Sequence, residues 1–320
     1  MGQGAMERRD FIKSVGVVGM FSLLGVIPLY GSSGGARQVS SVMPEASFDG
    51  KLKGPFDLVF DRSGNLLVTD PPGYRVVRLD GEHKPFSWFG VPGSQPGQLN
   101  YPRGIALDSR NRAFVVDSNN CRVQVFDEKG EPERIIGSIG SIGGSFATPQ
   151  SAFIDGKDRL FVSDTRNHRV QIFENYVLTA VLGDMGDAKD QFRLPTACAV
   201  RSDGEIVVLD SKHGMVKFFG PDLSFKRSFG EPGSAPGQLN MPQGMELDVH
   251  GHIWVADTGN ARVQEFSPDG TLLSVIGRHG SGPGELQDPT SVRRRGDKIY
   301  VADNGNGRIQ IFSRDRKGAA

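Results

Sequence analysis

Six aspartates recur along the chain at intervals of 47, 47, 46, 47 and 46 residues: Asp70, Asp117, Asp164, Asp210, Asp257 and Asp303. Each closes a short apolar run. All but Asp210 are followed five residues later by an arginine, as Asp117 is by Arg122. A period of this length marks a repeat architecture, and a unit this small cannot bury a core alone, so neighbouring units must stack. With 320 residues, the chain has room for one large closed β domain.

Residues 98–137 give the clearest unit. Gly104 to Asp108 reads as an inner strand, and Ala113 to Asp117 as an almost wholly apolar second strand with both faces covered. Arg122 to Phe126 alternates, predicting a half-buried third strand, and Glu133 to Ile136 forms the outermost one. Four antiparallel strands per unit make a propeller blade. A leading proline opens every unit, at positions 55, 102, 149, 195, 242 and 289, and helical periodicity is absent after residue 36. The expected fold is all-β, a six-bladed β-propeller of four-stranded antiparallel blades spanning residues 37–320. The last unit supplies only three strands before Phe312, so residues 37–42 are expected to complete it and remove an exposed edge.

The strand-turn-strand core, written Val-Ala-Asp-Thr-Gly-Asn-Ala-Arg-Val-Gln-Glu-Phe at 255–266, resembles NHL repeats. The resemblance implies the propeller fold but no single activity, because propellers of this kind bind proteins, RNA or small molecules and some are enzymes.

Before the first blade, Arg8-Arg9-Asp10-Phe11-Ile12-Lys13 precedes an uncharged stretch from Ser14 to Ala36. Arg8, Arg9, Phe11 and Lys13 resemble a twin-arginine (Tat) export signal, with small residues Gly34 and Ala36 placed for cleavage before Arg37. Residues 1–36 are thus expected to be a signal peptide or N-terminal anchor handled by the Tat translocase. The mature protein is expected to be periplasmic or extracellular, tethered to the membrane only if that segment stays uncleaved. Thirty-seven basic and 37 acidic residues cancel, which argues against nucleic acid as partner. The two cysteines, Cys121 and Cys198, allow neither a disulfide framework nor a four-cysteine zinc site.

Features shared by all blades are structural, and features unique to one are functional candidates. The Asp–Arg pairs belong to the first class and, as exposed pairs, would contribute about 0–1 kcal/mol each. Blade 4 departs from the pattern, reading Asp210-Ser211-Lys212-His213-Gly214-Met215 behind an acidic loop that runs from Asp184 to Asp190. On that reading, Arg103, His168, Asp187, Lys212 and His213 form a ligand-binding top face. His168, His213 and Asp184 are the weak candidates for a divalent metal; no cofactor is otherwise expected. Arg103 is the one charge among the residues that follow the leading prolines: Phe56, Arg103, Gln150, Thr196, Gln243 and Thr290.

Six-bladed relatives of this type that act as enzymes place a metal on the central axis. Here the inner strands offer mainly Ala152, Phe153, Cys198, Met245 and Val292, with Glu246 the one interior carboxyl and 293–295 the one basic cluster. The leading expectation is an exported binding or scaffold propeller that presents top-face loops to a protein, peptide or glycan. The alternative is a metal-assisted lyase or lactone hydrolase.

Overall fold

The computed structural model describes residues 36–42 and 52–314. The expected export-signal residues Arg8, Arg9, Phe11 and Lys13 lie outside the described residues. The described chain is a six-bladed β-propeller, six antiparallel sheets of four strands each. Blade 2 shows the plan: Pro102–Leu107 innermost, then Ala113–Asp117, Arg122–Phe126 and Pro132–Ile136 outermost. Among the described residues, no helix is long and apolar enough to cross a membrane.

The ring is closed by sequence-distant strands. Ala36–Val42 pairs antiparallel with Arg308–Arg314, so the N-terminal strand becomes the outermost strand of blade 6. The register runs from Ala36 opposite Arg314 to Val42 opposite Ile309, with an irregularity between Gln38 and Ser40. This covers an edge that would otherwise present unpaired backbone groups to other chains.

Second strands are buried along their whole length, as their apolar runs predict. Third strands differ from expectation. Arg122–Phe126 is buried throughout rather than half-buried, because its polar residues point into a shared hydrogen-bond network and not into solvent. The core is divided into clusters between adjacent blades, such as the one joining Phe114, Val116 and Val123 to Ala152, Val162 and Phe173.

Adjacent blades are also stitched at the top, the end that carries the loops between blades. Ser118 Oγ donates to the Pro149 carbonyl, Thr165 Oγ1 to Pro195 (2.8 Å), Thr258 Oγ1 to Pro289 (2.7 Å) and Asn304 Nδ2 to Pro55 (3.2 Å). The leading proline brings a backbone acceptor and no donor, and in these four cases that acceptor receives the previous blade. Near these prolines the inner strands crowd together. A Cβ on Gly104 would lie 2.8 Å from the Gln150 carbonyl oxygen, so glycine is required there and the channel is narrow.

Candidate functional site in the central channel

The repeated aspartate is a buried latch. Asp117 is fully buried; its Oδ1 accepts the Asn100 N–H at 2.6 Å. Its Oδ2 gathers Arg122 Nε (2.7 Å), Asn120 Nδ2 (2.8 Å) and Gln124 Nε2 (3.0 Å). Arg122 then donates to the carbonyls of Gln95 and Gln98, both at 3.0 Å, tying the top loop to the blade. The same set recurs around Asp164, Asp257 and Asp303. The expectation of exposed pairs worth little is therefore corrected: aspartate and arginine are both shielded, where an unpaired partner is expensive.

Blade 4 keeps the latch with substitute parts. His213 stands where blades 2, 3, 5 and 6 have asparagine, and its Nδ1 lies 2.6 Å from Asp210 Oδ2. Lys217 stands where they have glutamine, pairs with the same oxygen at 2.9 Å and donates to the Gln191 carbonyl at 2.5 Å. It thereby takes over the work of the arginine that Met215 replaces. His213 Nε2 also meets Asp187 Oδ1 at 3.0 Å, and Arg193 Nε meets that carboxylate at 2.9 Å. These two partners hold the exposed Asp187 carboxyl below its usual range.

His168 closes the blade 3 turn in a left-handed conformation (φ 57°), and its Nδ1 accepts the Leu194 N–H at 3.1 Å. Burial, then the nearby Arg193 charge, lowers its pKa. Thus His213 and Asp187 meet, while His168 is occupied separately. The acidic loop has the same form as its counterparts, the bridge from Met185 to Phe192 matching that from Ile139 to Phe146. Lys212 joins this region through its backbone N–H to the Arg193 carbonyl.

Arg103 stacks over Phe56 (5.1 Å) and Tyr101 (5.4 Å), and burial lowers its pKa, with Arg166 adding to the effect. The remaining members of its expected ring, Phe56, Gln150, Thr196, Gln243 and Thr290, border a constriction of only about 20 Å³.

Among the described residues, Asp248, His252 and Glu265 are the one group of three or more such side chains close enough for a metal. Their bonding does not fit a cation. Asp248 Oδ1 accepts the N–H groups of His250 and His252. Its Oδ2 takes Arg294 Nη1 at 2.5 Å and Trp254 Nε1 at 3.3 Å. His252 Nδ1 lies 2.9 Å from Glu265 Oε1, and Ser274 Oγ donates to Glu265 Oε2 at 2.8 Å. A guanidinium on the would-be ligand oxygen repels a metal ion, so the cluster is a closed charge network.

Below the constriction, all six inner strands surround a cavity of about 360 Å³. The fourth residue after each leading proline lines it: Val59, Ala106, Phe153, Ala199, Glu246 and Arg293. Four blades give an apolar side chain; blades 5 and 6 give an acid and a base side by side. They do not pair. Arg293 turns to Asp57, Nη2 to Oδ1 at 2.9 Å, and this buried aspartate also accepts Ser291 Oγ (2.7 Å) and the Ile105 N–H (3.1 Å). Glu246 is left with Oε2 buried and unbonded, and Arg294 Nε is left likewise. Burial, reinforced by the Asp248 charge, outweighs the pull of Arg293 and Arg294 and pushes the Glu246 carboxyl up to about 8. The shift favours the protonated form of this carboxyl near neutral pH.

The sign of the linkage is fixed. The folded state binds a proton that the unfolded state releases near pH 4.5, so stability is greatest below that value and falls as pH rises to about 8. Denaturant unfolding should show the protein losing about 2 kcal/mol between pH 5 and pH 8, discounted because the carboxyl borders a void. Glu246→Gln should remove that loss; an unchanged slope would place the carboxyl in water.

Sequence comparison finds the NHL repeat at residues 99–126, 239–266 and 286–312. No curated protein matches the chain. Virginiamycin B lyase from Staphylococcus aureus, crystallised with quinupristin, is similar in structure, with a TM-score of 0.59 at 13% identity over 84% of this chain and 86% of that one. A streptogramin B lyase gives 0.59 at 12% identity, covering 83% and 95%. A gluconolactonase from Xanthomonas campestris gives 0.65 at 13% identity, covering 88% and 90%. At such identities the likeness is one of fold alone. The chain is a six-bladed β-propeller that carries NHL repeats.

Proposed function

We propose that this chain is an exported binding propeller whose ligand is a small, largely apolar molecule held in the central channel. The observation that carries this reading is the cavity of about 360 Å³ between the six inner strands, walled mainly by apolar side chains from blades 1 to 5. A concave, mostly apolar space with few polar groups is what small-molecule sites have in common. The top face is the weaker place for a ligand, since His213, Asp187 and Lys217 are committed to the blade 4 latch and His168 to Leu194. Export rests on the Arg8-Arg9 motif alone.

A metal-assisted lyase or lactone hydrolase is favoured by fold likeness only. The cavity lining contains one carboxyl, Glu246, flanked by Arg293 and Arg294, and this does not fit a divalent cation.

Native mass spectrometry of protein from the exported fraction should reveal a bound organic molecule that is released on denaturation. Val200→Phe, which adds bulk to the cavity lining, should abolish its retention while leaving the melting temperature within a few degrees. Retention unaffected by Val200→Phe would place the ligand elsewhere.

A further inference from the structure

We propose that Arg103, with Arg166 beside it, makes the top mouth of the channel a binding site for a small aromatic carboxylate, the counter-ion that this guanidinium lacks. The site lies above the constriction and away from the blade 4 rim, so it goes beyond the channel reading and does not depend on it. Arg103 follows Pro102 at the start of the inner strand of blade 2, and its guanidinium lies over the ring of Phe56, which borders the constriction. The ring of Tyr101 flanks the same group at 5.4 Å. The Arg103 side chain is half-buried, with Nε sealed. Nη1 and Nη2 reach solvent and hydrogen-bond to nothing among the described residues.

Charge at the mouth calls for an anion. Among the described residues no carboxylate acts on Arg103, and the charge that does is Arg166, which rises from the top turn of blade 3, Thr165–Asn167, and repels it. A partly desolvated cation without a counter-ion is costly, and two aromatic faces offset only part of that cost. Asp288, the one acid among the residues that precede the leading prolines, belongs to blade 6, with blade 1 in between. Thr196 and Thr290 spend their hydroxyls on the carbonyls of Pro242 and Phe56. The Gln243 side-chain amide hydrogen-bonds to nothing among the described residues, and Gln150 keeps its Nε2 open while its Oε1 is buried. One fork of two N–H groups with amide donors near it matches the two oxygens and single charge of a carboxylate. Tyr101 remains exposed beside the fork, a flat face for an aromatic group.

Benzoate, benzamide, benzylammonium and inorganic phosphate separate the alternatives by head group. Titrated into the full folded chain at pH 7 and low salt, benzoate should bind about tenfold more tightly than benzamide. Arg103→Gln should erase that advantage, and Arg166→Gln should reduce it about threefold, an effect that added salt screens. Arg103→Lys keeps the charge but not the fork; it should lose most of the advantage while melting like the parent, and it decides the matter if Arg103→Gln fails to fold. Val200→Phe, which adds bulk below the constriction, should leave benzoate binding unchanged. Loss of benzoate in Val200→Phe would place it in the cavity and overturn the mouth site. Equal binding of benzoate and benzamide, or an advantage that survives both Arg103 changes, would overturn the proposal. Tightest binding of benzylammonium or of phosphate would overturn it too, the first by denying an anion site and the second by denying selection for a carboxylate.

Discussion

Deleting Ala36–Val42 should cost the folded monomer on the order of 5 kcal/mol and leave a product that self-associates. The strand is the outer member of blade 6, hydrogen-bonded along Arg308–Arg314 from Arg314 down to Ile309. Each ladder bond contributes only about 0.5–1.5 kcal/mol net, but the segment supplies a full set. Its loss also bares a row of N–H and C=O groups on a strand that carries Ile309, Ile311 and Phe312. Such an edge pairs with any strand that offers itself, and a second copy of the chain offers the same edge. Size-exclusion chromatography and thermal unfolding of the deletion should show a lower melting temperature and higher-order species. A peptide of residues 36–42 added in trans should restore part of the stability. A monomeric deletion that melts like the parent would mean that the ring is held by blade-to-blade packing alone. Signal cleavage before Arg37, as proposed, would spare all of this strand but its first residue.

The fold was legible because a period is a property of spacing, and spacing survives in one dimension. The six aspartates set the blade count, the leading prolines the blade starts, and the missing fourth strand of the last unit the need for an N-terminal partner. The site was less legible, for two physical reasons. The first concerns burial. Arg122 and Gln124 alternate with Val123 and Val125 as a half-exposed strand would, yet the neighbouring blade covers both faces and the polar side chains satisfy Asp117 instead of meeting water. The second concerns what counts as a departure from the repeat. Blade 4 looks exceptional in its turn, but His213 and Lys217 rebuild the same hydrogen bonds from different side chains. The departure with more chemistry in it lies at the fourth position after each proline, where Glu246 and Arg293 follow four apolar residues. Comparing all six units at that register would have exposed it. That Arg293 prefers Asp57 and leaves Glu246 unpaired required the folded geometry.

The latch supplies the second large effect. Asp257→Ala should destabilise the protein by about 3–5 kcal/mol, because it strands a shielded guanidinium along with three other donors. In the folded protein Asp257 Oδ2 receives Arg262 Nε at 2.7 Å, Asn260 Nδ2 at 2.8 Å and Gln264 Nε2 at 3.0 Å, while Oδ1 takes the Asn240 N–H at 2.7 Å. If the orphaned charge dominates, adding Arg262→Met to Asp257→Ala should return part of the loss, since methionine is what blade 4 carries at that position. Blade 4 also provides a control on the meaning of its histidine. His213→Asn restores the residue used by Asp117, Asp164, Asp257 and Asp303, and keeps a donor within reach of Asp210. Its cost should stay below about 1 kcal/mol, since the contact with the exposed Asp187 is worth little. Urea unfolding of the three variants would decide the matter. A neutral Asp257→Ala would show that the arginine finds water when the carboxylate is gone. A His213→Asn loss as large as that of Asp257→Ala would show that the imidazole does something in blade 4 that an amide cannot, and would return attention to the top face as a place where chemistry is held.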